Sequence, residues 1–123
     1  MIVVDASVLI PWLEGLNPGD RRLLDIVALD RLVLAPVTFT EMLSGPKLSD
    51  EAARAIGRLP VLPTRAGYWR RAGLLRQALL KAKRRARLGH TLIAQACLDH
   101  DLPLLARDRD FAAFAELAGL RLA

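Results

Sequence analysis

The chain has 123 residues, 53% of them apolar, which excludes a disordered protein and predicts one domain over residues 1–123. No apolar run approaches the roughly 20 residues of a membrane span, and the first residues lack the basic region of a secretory signal. A single cysteine, Cys97, excludes an internal disulfide, so we expect a reducing, cytoplasmic location. The net charge of +5 favours a polyanionic partner such as nucleic acid.

Short apolar runs alternate with amphipathic segments along the chain. Strands are predicted at residues 2–4, 31–34, 59–63, 102–105 and 120–122, of which the third and fifth are edge strands. Helices are predicted at residues 7–13, 37–43, 90–100 and 111–117. Three further helices are predicted from their start signals: one from Pro18 and Asp20 to about residue 29, one over residues 50–58 after the cap Ser49, and one from the cap Thr64 into the 80s. This alternation predicts a three-layer α/β/α domain with a central parallel sheet of four to five strands.

Three acids follow predicted strands or lie in the helices that leave them. Asp5 ends the first strand, Glu41 lies in the helix after residues 31–34, and Asp108 follows Leu105. The carboxyl ends of parallel strands meet at one edge, so these acids can converge. Clustered carboxylates repel one another, and hard oxygen ligands favour Mg²⁺ or Mn²⁺. Each acid also has a structural alternative: Asp5 and Asp108 as helix caps, and Glu41 as a surface acid.

A basic segment precedes the helix predicted at residues 90–100. Residues 81–87 carry five cations, among which Arg84, Arg85 and Arg87 are candidates for nucleic-acid binding. The alternative is an ordinary solvated face. Tyr68 and Trp69 are predicted to pack within the fold and not to form a base-stacking platform.

Four segments in register resemble the PIN-domain family, and within it the VapC-type toxins of bacterial and archaeal toxin–antitoxin pairs. They are residues 4–7 (VDAS), 34–41 (LAPVTFTE), 92–97 (LIAQAC) and 104–111 (LLARDRDF). The resemblance implies a Mg²⁺- or Mn²⁺-dependent endoribonuclease, a homodimer, and a small cognate antitoxin that blocks the site. It also implies that Asp5, Glu41 and Asp108 bind the metal, with Ser7, a small polar residue beside the first acid, as a further candidate for nucleic-acid binding.

Two positions depart from the family pattern. His90 stands where a further acid is usual, and Ala106 stands where Thr or Ser is usual. A neutral imidazole could still bind a metal, but the lost negative charge should weaken Mg²⁺ binding and shift preference toward Mn²⁺ or softer ions. Alternatively, His90 is an ordinary helix residue that coordinates nothing. Asp110 is a further auxiliary ligand candidate.

The resemblance therefore implies a VapC-type toxin that hydrolyses RNA phosphodiester bonds with a divalent metal. The alternative is a catalytically impaired PIN-fold protein, with His90 in place of an acid, that only binds RNA or its antitoxin.

Overall fold

The computed structural model describes residues 1–15 and 21–123, and a central parallel sheet organises them. Its strands are β1 (Ile2–Val4), β2 (Leu32–Val33) and β3 (Leu104–Leu105). The helices in this part of the chain are α1 (Ala6–Leu13), α2 (Arg21–Ala28), α3 (Pro36–Leu43), α4 (Asp50–Gly57), α5 (Tyr68–Lys81), α6 (Leu88–His100) and α7 (Phe111–Ala118). Pro18 and Asp20, predicted to start the second helix, lie outside the described residues.

The strands run in the order β2-β1-β3, and both pairings are parallel. Beyond them, Val61 pairs with Leu34 at one edge, and Leu122 pairs with Leu104 at the other. The predicted α/β fold with a parallel sheet is confirmed. The two predicted edge strands are present only as single parallel residue pairs beside the three strands.

Side chains alternate between the two faces of the sheet, as the pleat of a strand requires. Val3 and Leu104 join a core with buried residues of α5, α6 and α7, whereas Val4 and Leu105 join a second core with α1, α2 and α4. All four side chains are fully buried. The sheet is covered on both faces, which explains why its strands are continuous apolar runs.

The helices α5 and α6 begin two or more residues away from their predicted starts. α5 begins at Tyr68 with Gly67 as its N-cap, so the prediction that Thr64 caps this helix was wrong. Gly67 has φ +82°, a left-handed conformation that favours glycine. α6 begins at Leu88, so the start predicted at His90 was two residues late, and Gly89 lies inside the helix.

The aromatic pair at the start of α5 divides between core and surface. Tyr68 is buried, and its hydroxyl donates to the carbonyl oxygen of Leu92 at 2.7 Å. Trp69 is 68% exposed, so the prediction that it packs within the fold was wrong. Cys97 is buried in the core as predicted, and burial raises the pKa of its thiol to about 12.

His100, the last residue of α6, holds the segment that precedes α5. Its Nδ1 lies 3.3 Å from a guanidinium nitrogen of Arg65, and its Nε2 lies 2.9 Å from the carbonyl oxygen of Pro63. A guanidinium only donates, so Nδ1 accepts from Arg65 and Nε2 donates to Pro63. Across residues 1–15 and 21–123, no helix combines the length and the apolar character that crossing a membrane would demand.

Candidate metal centre

From β1 the chain continues to β2, which pairs with β1 on one side, whereas β3 pairs with β1 on its other side. The carboxyl ends of β1 and β3 therefore border a topological switch point, where α/β sheets bind ligands. Asp5 directly follows β1, and Asp108 lies in the loop between β3 and α7. The topology brings these two predicted site residues to the same edge of the sheet.

Asp5 is buried and caps α1, since its Oδ2 accepts from the backbone N–H of Ser7 at 3.1 Å. The cap uses one carboxylate oxygen, so the second oxygen is not needed for capping. The backbone N–H of Asp5 donates to Leu105, and the hydroxyl oxygen of Ser7 accepts from the N–H of Arg107 at 3.1 Å. These bonds tie the start of α1 to the loop after β3. Capping therefore holds Asp5 in place without excluding a second role.

Glu41 lies on α3 and is exposed at the rim of the site. Partial burial raises the pKa of its carboxyl, the negative charge of Asp5 raises it further, and His90 acts in the opposite direction. A Cβ at Gly89 would lie 3.8 Å from Oε1 of Glu41, which places this carboxylate beside the first turn of α6. Glu41 is a surface residue, yet it interacts electrostatically with Asp5 and His90.

The closest group of potential metal ligands in the described part of the chain is His90, Asp108 and Asp110. One ligand atom from each lies within 4.8 Å of the other two. Nε2 of His90 lies 3.1 Å from Oδ2 of Asp108, and Nδ1 lies 4.0 Å from Oδ2 of Asp110. The N-cap of α7 is Asp110, not Asp108 as one alternative held. Asp108 instead accepts the N–H of Asp110 at 2.9 Å, which orders the turn before α7.

The ring of His90 is held in place and is largely buried. It packs on Phe111 with centroids 4.6 Å apart, and the side chain is 15% exposed. Its Nδ1 is fully buried without a hydrogen-bond partner, which typically costs about 1–3 kcal/mol. A cation bound between this nitrogen and the neighbouring carboxylates would remove that cost. The residues present therefore fit a divalent cation.

The model of the PIN domain family matches residues 2–117. The chain belongs to this family. No curated protein matches this PIN domain significantly.

Solved structures share the fold over nearly the whole chain. VapBC-5 from Mycobacterium tuberculosis, a member of the VapBC family of toxin–antitoxin systems, is 25% identical with a TM-score of 0.73, covering 98% of this PIN domain and 95% of that chain. VapBC2 from Rickettsia felis, solved with a promoter DNA fragment, is 16% identical with a TM-score of 0.76, covering 100% and 98%. FitAcB from Neisseria gonorrhoeae is 18% identical with a TM-score of 0.69, covering 99% and 96%.

The three predicted arginines of the basic segment divide between two locations. Arg85 and Arg87 approach Oδ2 of Asp110 at 3.8 and 3.9 Å, and both side chains are more than half exposed. Arg84 instead pairs with Glu116 on α7 at 2.8 Å. The PIN domain therefore brings two of the three arginines to the acidic cluster.

Sequence reasoning missed Phe111 and an apolar groove beside Glu41. The sequence indicates only that Phe111 is a core residue. Its contact with the His90 ring depends on how α6 packs against α7. The groove has a volume of about 420 Å³, and Glu41 borders it. Its apolar lining comes from α1, α3, α4 and the segment before α4: Ile10, Leu13, Met42, Leu48 and Ile56. Exposed apolar positions such as Ile10 could have indicated this surface.

Proposed function

We propose that this PIN domain is a metal-dependent endoribonuclease of the VapC type, the toxin of a toxin–antitoxin pair. One observation carries the proposal. In a chain of this family, Asp5 and Asp108 follow the two strands that border the switch point, and Glu41 interacts electrostatically with Asp5 there. The similar chain of Mycobacterium tuberculosis, at 25% identity, comes from a toxin–antitoxin system and supports the same assignment.

Asp5, Glu41 and Asp108 would hold Mg²⁺ or Mn²⁺. When bound, the cation supplies Lewis acidity toward water and toward the phosphodiester. Asp5 is oriented for this role by its cap and by the bond of its N–H to Leu105. Glu41 is exposed on one side, so its carboxylate is accessible from the surface.

Arg85 and Arg87 would guide the RNA backbone toward these acids. They are exposed and lie beside Asp110, so a phosphate that approaches the site meets two guanidinium groups first. The net charge of +5 adds a long-range attraction for a polyanion. We expect no comparable role for Arg84, because Glu116 neutralises it.

The antitoxin would bind the apolar groove that Glu41 borders. A segment with apolar side chains seated there would bury the lining residues and cover access to Glu41. The similar structures from Rickettsia felis and Neisseria gonorrhoeae are titled as VapBC and FitAcB, each named as a pair. A homodimer in the cytoplasm stays our expectation.

A second function is favoured by the contact between His90 and Asp108. Nε2 of His90 lies 3.1 Å from Oδ2 of Asp108, so the imidazole occupies one oxygen of a predicted metal ligand. A PIN domain arranged in this way could bind RNA or its antitoxin without cleaving RNA.

Cleavage of a structured RNA distinguishes the two functions. The unaltered chain, Asp5→Asn and His90→Asp are each incubated with Mg²⁺ and with Mn²⁺. We expect the unaltered chain to cleave, and Asp5→Asn to be inactive. If only His90→Asp cleaves, the chain is the binding form. If Asp5→Asn cleaves as fast as the unaltered chain, the carboxylate mechanism is wrong.

A further inference from the structure

His90, Asp108 and Asp110 share features that a surface acidic cluster lacks. Both ring nitrogens of His90 face carboxylates, Nε2 at 3.1 Å from Asp108 and Nδ1 at 4.0 Å from Asp110. Nδ1 is buried without a hydrogen-bond partner. Packing against Phe111 restricts the rotation of the ring, so Nδ1 is held toward Asp110 and Nε2 toward Asp108. Two carboxylates and an oriented nitrogen form a mixed ligand set.

We propose that His90, Asp108 and Asp110 form a nitrogen-containing site that binds a first-row transition-metal ion, such as Mn²⁺ or Co²⁺, in preference to Mg²⁺. Imidazole is a good ligand for transition metals, whereas Mg²⁺ prefers oxygen ligands and retains several waters. This inference deepens the proposed function and rests only on its assumption that a divalent cation binds at this edge of the sheet.

The neighbouring arginines are compatible with such a site. Arg85 and Arg87 lie 3.8 and 3.9 Å from Oδ2 of Asp110, beyond hydrogen-bonding distance. Their side chains are 67% and 57% exposed, so both can move into solvent when a cation binds. Until then they offset part of the negative charge of Asp110.

Electron paramagnetic resonance of Mn²⁺ added to the tag-free chain tests the proposal without RNA. Coordination by imidazole gives ¹⁴N modulation of the electron spin echo. The chain has two histidines, and His100 is engaged with Pro63 and Arg65, so His100→Gln is the matched control. We expect the ¹⁴N signal in the unaltered chain and in His100→Gln, and its loss in His90→Asp. Bound Mn²⁺ without that signal, or no Mn²⁺ binding, would overturn the proposal.

Metal affinities give a second readout. We expect His90→Asp to raise the affinity for Mg²⁺ relative to Mn²⁺ by about tenfold or more, because an oxygen ligand replaces nitrogen. Asp110→Asn should weaken Mn²⁺ binding, whereas Asp101→Asn, at an acid that is 96% exposed, should not. An unchanged Mg²⁺ to Mn²⁺ ratio in a folded His90→Asp chain refutes the site.

The two proposals fail separately. A chain that gives the ¹⁴N signal but never cleaves RNA keeps the metal site and loses the nuclease function. A chain that cleaves RNA with Mg²⁺ and shows no nitrogen ligand keeps the function and loses the metal site.

Discussion

Replacing Asp5 separates its capping role from its proposed metal-binding role. Asn and Ser are good N-caps, so Asp5→Asn and Asp5→Ser can still accept the N–H of Ser7 without offering a carboxylate. Asp5→Ala removes both the cap and the charge. The three variants therefore have different expected stabilities but the same expected effect on cleavage.

The magnitudes follow from the single capping bond. Loss of an N-cap costs typically about 1 kcal/mol, so Asp5→Ala should lower Tm by about 4 °C in the absence of metal. Asp5→Asn should stay within about 0.5 kcal/mol of the unaltered chain. RNA cleavage should fall about 100-fold or more in all three variants, because each removes a ligand charge.

Thermal unfolding without metal and RNA cleavage with Mn²⁺ measure the two effects. A third readout is the titration of Glu41 by NMR: the charge of Asp5 helps to raise the pKa of Glu41, so this pKa should fall in Asp5→Asn. An Asn variant that cleaves normally would show that Asp5 is only a cap. If Asp5→Ala were as stable as the unaltered chain, the expected contribution of the cap to stability, about 1 kcal/mol, would be wrong.

Three further changes test neighbouring contacts. Burial and the charge of Asp5 raise the pKa of Glu41, so its ionised form is disfavoured in the folded state. Without metal, Glu41→Gln should therefore raise Tm slightly at pH 7. This gain should vanish below about pH 4, where the carboxyl is protonated in both the folded and the unfolded state. Replacing Arg85 and Arg87 with Gln should weaken RNA binding and flatten the dependence of the binding constant on salt concentration, measured by fluorescence anisotropy. An unchanged salt dependence would show that both arginines are ordinary surface residues that do not contact RNA. Tyr68→Phe should cost about 1 kcal/mol in urea unfolding at pH 7, since a buried hydroxyl loses its carbonyl partner. Burial raises the pKa of Tyr68 to about 12. As the pH rises above 10, the phenol therefore ionises more readily in the unfolded state than in the folded state, which lowers the stability of the unaltered chain. The difference in unfolding free energy between the unaltered chain and Tyr68→Phe should then shrink, and a constant difference would contradict this.

The fold was predictable because the sheet is covered on both faces. β1, β2 and β3 must be apolar on both sides, and such runs are visible in sequence. The starts of α5 and α6 were less predictable. The chain before α5 is held by side chains that follow it in sequence: Arg71 of α5 donates to Ala66 at 2.8 Å, and the distant His100 contacts Pro63. Those contacts override the local capping preference of Thr64.

The common edge of Asp5 and Asp108 was predictable from the sequence, and the composition of the candidate site was less so. Asp5 and Asp108 follow strands that the sequence indicates, so their common edge follows from topology. The position of Asp110 close to His90 and Asp108 depends on the turn after β3, where Asp108 accepts the N–H of Asp110. Which arginines face that turn depends on the path of the chain between α5 and α6, and local sequence does not reveal this path.

The edge pair between Val61 and Leu34 also limits how this protein can be recognised. Proteins often bind extended peptides by adding a strand to an open sheet edge. Here the outermost segment contributes a single residue pair and carries Pro60 and Pro63, which have no N–H to donate. A partner chain would gain few backbone hydrogen bonds at that edge. Recognition at this end of the sheet should therefore depend on side chains and helix surfaces, and selectivity for a partner should change with individual surface substitutions.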